Sequence, residues 1–493
     1  LTSLRFNPSN GDQKWGINFL RRVRRKGEDV YWSPIEPYEK LLTVSKAGTL
    51  EGLNNIRPGR NLQIKPFLVG NKITDNESTN NSDTGLDLKF SVTPSLTLDL
   101  TYNTDFSQVD SDEEKVNLTR FPLFFPEKRD FFLENASLFE FGDISNYLYR
   151  MKPNKYGRSF TMFHSRRIGL DDGIQIPIMG GGRLSGKVGN FDLGLLNMTS
   201  ESKGDSPTTQ FNVARVKSNF LKNSNFGAIL INRNSAGKER DHKSVGIDLN
   251  FNINKLLIYS YLAQTENLGK KEDNTAGRIV VAWRNNKWDL AAYYKKINEN
   301  FDPSVGFIQR TNVTETFATF GRHKRYTSGP ILSLNPYLFI NQYNNLNGYL
   351  ESRTLKSGLD IQFMNRSMLF AGITQTEEVI LNPFDLYDAQ IPIGNYKFNN
   401  LSLYYRGDRT RLISLNGNIS IGDYFNGTKD SYGVSATIKR GYRFSINMGL
   451  NKNLIKLPGN TVKADVYTLK IKYNHSVKIF NTLYFQYNAA EEK

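Results

Sequence analysis

The chain has 493 residues, of which 38% are hydrophobic, with 64 Lys+Arg against 48 Asp+Glu for a net charge of +16, and no cysteine. Mean hydropathy is -0.50, and the lack of any run of about 18 apolar residues excludes helical membrane spans; zero cysteines exclude disulfides, thiolate metal sites and cysteine nucleophiles. Lys and Arg are spread through turns and alternate strand positions, with one dense run at Arg21–Arg22–Val23–Arg24–Arg25–Lys26. An anionic outer leaflet or a basic lumen explains that spread at least as well as nucleic acid does, and no nucleic-acid partner is expected.

Residues 1–45 carry Leu4–Arg5–Phe6, Trp15–Gly16–Ile17–Asn18–Phe19 and Tyr31–Trp32–Ser33–Pro34. They read as the last strands of a small β-domain, too few to build a core alone. Residues 46–60 hold Gly48, Gly52, Pro58 and Gly59 and read as a linker. No signal peptide opens the chain at Leu1, and the N-terminus is read as cut or processed.

From residue 61 to 493 a two-residue period takes over. In Val245–Gly246–Ile247–Asp248–Leu249–Asn250–Phe251–Asn252–Ile253–Asn254 every odd residue is apolar and every even one is Gly or polar. That is the pattern of a strand with one apolar and one wet face. It recurs in Leu96/Leu98/Leu100/Tyr102, Ile413/Leu415/Ile419/Ile421 and Tyr442/Phe444/Ile446/Met448/Leu450. The segments are about ten residues long, the length at which a tilted strand crosses a bilayer. Short connections near 93–95, 189–190, 222–224, 285–287, 365–367 and 440–441 alternate with long polar ones near 235–241, 266–274, 298–310, 378–394, 423–430 and 454–462. Transmembrane barrels keep short turns on one side and long loops on the other. The expectation is an all-β fold: a transmembrane antiparallel β-barrel of about 22 strands, within a range of 20–24. The tally of strand-like segments is odd, so a closing strand is read as missing or merged with its neighbour. Tyr and Phe, 25 and 32 in number, suit the interfacial girdles of such a barrel.

Residues 106–175 break the rhythm. About seventy residues is too long for a passive loop, and their Phe content demands burial, so they are expected to form a plug or cap packed on the barrel wall. This segment contains Asn117–Leu118–Thr119–Arg120–Phe121–Pro122–Leu123–Phe124–Phe125–Pro126–Glu127–Lys128–Arg129, then Phe131–Phe132–Leu133–Glu134, then Ser165–Arg166–Arg167–Ile168–Gly169. These stretches, with Ile56–Arg57–Pro58–Gly59–Arg60 and Asp105–Phe106–Ser107–Gln108–Val109, are similar to the domain-of-unknown-function 5916 family; Asp130 stands where the family pattern leads one to expect Pro. The resemblance implies an outer-membrane barrel of a Gram-negative, Bacteroidota-type bacterium. It also implies a preceding periplasmic domain like carbohydrate-binding module family 9, of which residues 1–45 would be the tail.

The charged residues of these motifs, Arg120, Glu127, Lys128, Arg129, Glu134, His164, Arg166 and Arg167, are the candidates for anchoring the plug or for a ligand site. Asp105, Asp110 and Asp112 lie among further carboxylates that oxygen chemistry would let hold Ca²⁺, but the glycine an EF-hand loop needs is absent, and a solvated acidic turn is the simpler reading. The four His are at 164, 242, 323 and 475, with no metal-ligand spacing between them. No Gly-x-Ser-x-Gly elbow occurs, and Gly180–Gly181–Gly182–Arg183 lacks the Gly-Lys-Ser/Thr of a phosphate loop. No catalytic constellation is recognised. The expected role is that of a binding or transport component linked to carbohydrate. A hydrolase acting on glycans through Glu127, Glu134 or His164, and a closed structural subunit of a larger outer-membrane complex, are the alternatives. Expected partners are outer-membrane lipid or lipopolysaccharide, glycan through the N-terminal domain, and other outer-membrane proteins.

Overall fold

A computed structural model describes residues 11–23, 28–35, 41, 44–54, 56, 62–74, 78–103, 117–143, 159–171, 174–221, 223–237, 241–267, 272–387, 389–441, 443–476 and 479–489. The dominant element is one antiparallel sheet of 23 segments. It runs from Leu62–Thr74, Ser78–Thr93 and Leu96–Tyr102 directly to Ile178–Val188, and then strand by strand along the chain to Val466–Asn474 and Phe480–Asn488. Two segments are short continuations. Lys324–Arg325 shares the edge of Ile331–Asn345 with Val313–Arg322, and Asn460–Lys463 shares that of Phe444–Leu457 with Val466–Asn474. Merging each with its neighbour leaves 21 spanning strands from the 23 segments. The order sets the last strand beside the first. Every other neighbouring pair along the meander has a residue-by-residue ladder, for example Thr101↔Gly181 and Asp248↔Tyr261. With 21 strands running up and down, the last has the direction of the first.

Period two sorts the side chains. On His242–Ile253 the residues His242, Ser244, Gly246 and Asp248 are buried, while Val245, Ile247 and Leu249 are exposed. The exposed set is large and apolar along the sheet, with Leu230 and Ile247 each 57% exposed and Leu262 64%. Side chains on the other face, called inner below, include Arg215 at 1% and Asp289 at 2%. The sheet is thus inverted relative to a water-soluble one, with its charged residues covered and its aliphatic residues bare. No helix of the described residues is long and apolar enough to cross a membrane. Among the described residues, helical structure is confined to single turns such as Asp130–Leu133 and Ser165–Arg167.

Two expectations about connections change. The long loops expected near 423–430 and 454–462 are tight hairpins. Ile413–Tyr424 and Gly427–Arg440 are joined by two residues, and Phe444–Leu457 and Asn460–Lys463 turn on Pro458–Gly459. Gly459 has φ +80°, which with the preceding Pro is the signature of a type II turn. The ladder therefore runs on where the polar composition reads as loop, and the alternation of short and long connections holds better in the first half of the sheet than in the second. Near the N-terminus, Gly48–Leu53 lies within the span read as linker and pairs with Gln13–Ile17, while Leu20–Val23 pairs with Glu28–Tyr31.

The chain leaves the sheet after Tyr102 and rejoins it at Ile178, on two strands that pair with each other. Its described parts, 117–143 and 159–177 apart from 172–173, pack on the inner face. The principal hydrophobic cluster is shared between the two: Phe132, Phe139, Phe141, Phe160, Met162 and Ile168 come from the insert, and Leu196, Met198, Ile229, Tyr259 and Tyr261 are among the sheet's contribution. Burying a phenylalanine fully is worth about 1.5–3 kcal/mol, so the insert's four buried rings are its main attachment. The wall is cut to receive them. A Cβ on Gly194 would stand 3.0 Å from the Phe139 ring, and one on Gly246 would collide with the Phe141 ring.

Candidate functional site

Apolar contact leaves the polar groups of the inner face to be satisfied, and the insert supplies partners for them. Asp143 is the centre. Its Oδ1 accepts from Arg278 Nη1 at 2.8 Å and from Tyr261 OH at 3.1 Å, and its Oδ2 accepts from Lys295 Nζ at 3.1 Å and Ser159 Oγ at 2.6 Å. Burial alone would push its carboxyl up, but the Lys295 and Arg278 cations outweigh that and hold it well below the usual carboxylate range. Lys295 also pairs with Glu315, whose Oε1 accepts from Tyr293 OH at 2.6 Å and Tyr343 OH at 2.7 Å. The Arg278 guanidinium lies 4.0 Å from the Tyr293 ring centroid. A buried ion pair offsets its desolvation only with good geometry and further hydrogen bonds, and both conditions are met here.

The pattern repeats along the inner face. Arg215 binds Asp248 with contacts of 2.6 and 2.8 Å beneath the Phe141 ring. Arg183 binds Asp99 at 2.8 Å and donates to the carbonyl oxygens of Phe131 and Glu134. Lys217 Nζ donates to Ser137 O at 3.0 Å, and Asn135 Nδ2 to Ser185 Oγ at 3.0 Å. Ser185 and Lys217 lie near the short-turn ends of their strands, and Arg278 and Lys295 near the opposite ends. The insert therefore spans the sheet's height, held by charge at both levels. At the long-loop end the connection 298–312 folds onto it: Phe307 and Ile308 pair with Thr161 and Phe160, and His164 N donates to Val305 O at 2.7 Å.

The residues singled out by sequence are divided among several tasks. Glu127 and Arg129 pair within the insert at 2.6 Å, Glu127 also accepts from Ser165 Oγ at 2.7 Å, and Arg129 donates to Ile168 O and Ser165 O. Burial opposes ionisation of Glu127, but Arg129 overcomes it and brings the carboxyl down to about 2. His164 Nε2 lies 3.0 Å from Phe125 O, its ring packs on Phe124, and burial brings it down to about 4. Three residues reach the sheet or its loops: Glu134 pairs with Lys89, Arg120 with Glu378 at 3.5 Å, and Arg167 Nε donates to Gly306 O at 3.2 Å. Arg166 sits 5.6 Å from the Phe125 ring centroid, and Lys128 N is hydrogen-bonded to Glu127 Oε1. Glu127 lies near His164 and acts on its charge, while Glu134 is paired elsewhere with Lys89, so the three do not converge on one point. Asp105, Asp110 and Asp112 lie outside the described residues, among which no cluster of three metal-ligating side chains occurs. Sequence reading missed Asp143, Arg183, Arg215, Arg278, Lys295 and Glu315. Five of these six are ionisable residues at alternate strand positions; Asp143, in the insert, carried no signal.

Beyond strand Leu350–Phe363 the inner face changes character. Asn400, Asn416, Asn418, Ser431, Ser435 and Thr468 face inward and are half-buried. The insert meets this half where Tyr424 OH donates to Leu118 O at 2.6 Å and Arg120 meets Glu378. The wall is therefore built of ion pairs under the insert, and away from it is rich in hydroxyls and amides among which Arg406, Lys429 and Lys470 also face inward.

Residues 58–173 match the family described as Domain of unknown function (DUF5916), the family whose motifs the sequence resembles. No curated protein matches the chain. Among solved structures the chain is similar to Pseudomonas aeruginosa OccK8 (OprE), at 12% identity and a TM-score of 0.34, over 86% of this chain and 97% of that one.

Proposed function

We propose that the protein is an outer-membrane β-barrel of a Gram-negative bacterium, with residues 106–175 as a plug fixed on one half of its lumen and residues 1–45 on the periplasmic side. The observation that carries this reading is the inversion of the sheet: bare aliphatic side chains on one face, and ionised side chains sealed on the other by a segment of the same chain. Only a lipid solvent makes the first face stable, and a lipid solvent requires the backbone edges to meet, so the seam between Leu62–Thr74 and Phe480–Asn488 would be the closing ladder. The insert covers the ionic half of the wall and leaves the Asn/Ser/Thr half to water. Such a wall offers hydroxyl and amide groups beside the inward cations Arg406, Lys429 and Lys470 and suits polyhydroxylated solutes, so the role supported best is a binding or transport component for carbohydrate.

The test is reconstitution into liposomes and planar bilayers. The wild-type protein is expected to insert and to pass small sugars slowly, and Asp143→Asn, which loosens the plug, to raise conductance. Insertion with no conductance in either form would reject the channel role and leave a scaffold. Failure to partition into detergent or lipid would reject the barrel.

A further inference from the structure

On the outer face one row departs from the apolar rule. Asn197, Asn212, Asn232, Lys243 and Glu266 stand opposite one another on five adjacent strands. The adjoining row, Leu195, Ala214, Leu230 and Val245, is in register too and is apolar. Asn197 Nδ2 donates to Asn212 Oδ1 at 2.6 Å, while Asn232 Oδ1 is covered and has no hydrogen-bond partner among the described residues. The surface is hollow at this point. A concavity of about 1160 Å³ lies over these two rows, and it continues through Val245 and Gln264 into a second of about 800 Å³ bordered by Tyr294 and Lys296. Gly182, Ala214 and Gly277 project too little to fill it.

Shape and charge select the occupant. Two copies of this face placed together would leave the hollows empty, and an unfilled void loses its dispersion contacts. A flexible amphiphile fills them. Its polar part meets donors and acceptors along one edge of the groove, its chains meet the aliphatic floor, and Lys243 and Lys296 stand against the single acid Glu266. Resting on the membrane reading above, we propose that this groove seats a phosphorylated, multiply acylated lipid of the surrounding leaflet. Lys243 and Lys296 draw its phosphate, the asparagine row binds its headgroup hydroxyls, and Leu195, Leu230 and Val245 carry its chains.

Native mass spectrometry of the full chain in mild detergent with added monophosphoryl lipid A tests this. Retention is expected for the wild type. It should weaken about thirtyfold in Lys243→Ala/Lys296→Ala, at the usual worth of a basic side chain near an anionic headgroup. Ala214→Phe, which fills the floor without changing charge, should weaken it as well while liposome insertion stays intact. Equal retention by the wild type and both variants, or a second copy of the chain in place of lipid, overturns the proposal. Insertion of the wild type without lipid retention overturns this proposal alone; failure to insert overturns the membrane reading with it.

Discussion

Replacing Asp143 by Asn isolates the charge that fixes the insert, because the amide keeps the size of the carboxylate. The substitution removes the anion that faces Arg278 at 2.8 Å and Lys295 at 3.1 Å, and it places an amide –NH₂ against one of these donors or against Ser159. Lys295 retains Glu315, so the loss falls mainly on Arg278. Removing one partner of a buried pair costs about 3–5 kcal/mol; with Glu315 in place the lower end, about 3 kcal/mol, is expected. The strain is local. Asp143 N donates to Phe160 O and Met162 N to Phe141 O, so these amides report whether the insert is seated. Hydrogen exchange should become about a hundredfold faster across residues 159–164, since each 1.4 kcal/mol is tenfold. Sheet amides such as those of Thr209–Leu221 should be unchanged. Adding Lys295→Met should cost less than the sum of the single changes, because the two side chains share the interaction. Unchanged protection at 159–164, or a uniform loss throughout the sheet, would refute the argument that this charge holds the insert.

Gly246→Val should be destabilising by about 1–3 kcal/mol through overpacking against Phe141, read as a lowered Tm, whereas Gly459→Ala, with open space around it, should lose only about 1 kcal/mol from its positive φ. Ile247→Arg should reduce folding into lipid vesicles by about 2–4 kcal/mol if this face meets the bilayer core, measured by denaturant titration in vesicles; Ile247→Ala serves as the control for lost apolar area. Acid should loosen the insert. His164, lowered to about 4, is neutral when folded and takes up a proton more readily when released, so its contribution is present above about pH 6.5 and is lost as pH falls toward 4; Glu127, lowered to about 2, adds a loss below about pH 4.5. Between pH 7 and pH 4 the His164 effect is on the order of 2–3 kcal/mol, and His164→Phe should remove most of the pH dependence of exchange at residues 159–164 over that interval.

Much of the architecture was legible because a strand advertises its two faces every second residue. Val245/Ile247/Leu249 against Ser244/Gly246/Asp248 determines which side each residue takes before any partner is known. The break in the sheet's rhythm was legible for the complementary reason: Phe124, Phe125, Phe131 and Phe132 crowd together with no period of two. Turns were less legible. Pro458–Gly459 reads equally as a long loop or as the corner of a hairpin, and only pairing of the flanking residues decides. The clasp was least legible. Asp143 and Lys295 are 152 positions apart, and nothing near Asp143 in sequence distinguishes it from Asp130 or Glu140. The strand half of the clasp did leave a mark. Asp99, Arg215, Asp248, Arg278, Lys295 and Glu315 are ionisable residues on faces otherwise built from small or neutral groups, and charges in such places require buried partners.

The distribution of those charges bears on why the insert is fixed to one half of the wall. If apolar burial were its only attachment, Phe139 and Phe141 could settle over any pair of small residues on the inner face, and Gly433 and Gly449 offer such places on the far side. What the far side lacks is a pair of cations opposed in register to receive Asp143: its inward Arg406, Lys429 and Lys470 face Asn416, Gly422 and Asn447 across the ladders. Arg278 and Lys295 stand on neighbouring strands and are directly opposed in register, so one carboxylate satisfies both only when the insert lies at that height and on those two strands. Their charges add little net stability once desolvation is counted, yet every displaced position leaves the buried Arg278 without its anion and Lys295 with Glu315 alone. The ionic clasp therefore acts as a selector of position, with the aromatic contacts supplying most of the binding. The same argument explains how a segment joined to the sheet at one point, between Tyr102 and Ile178, has its described parts on the ionic half and leaves Asn400, Asn418 and Ser435 half-buried.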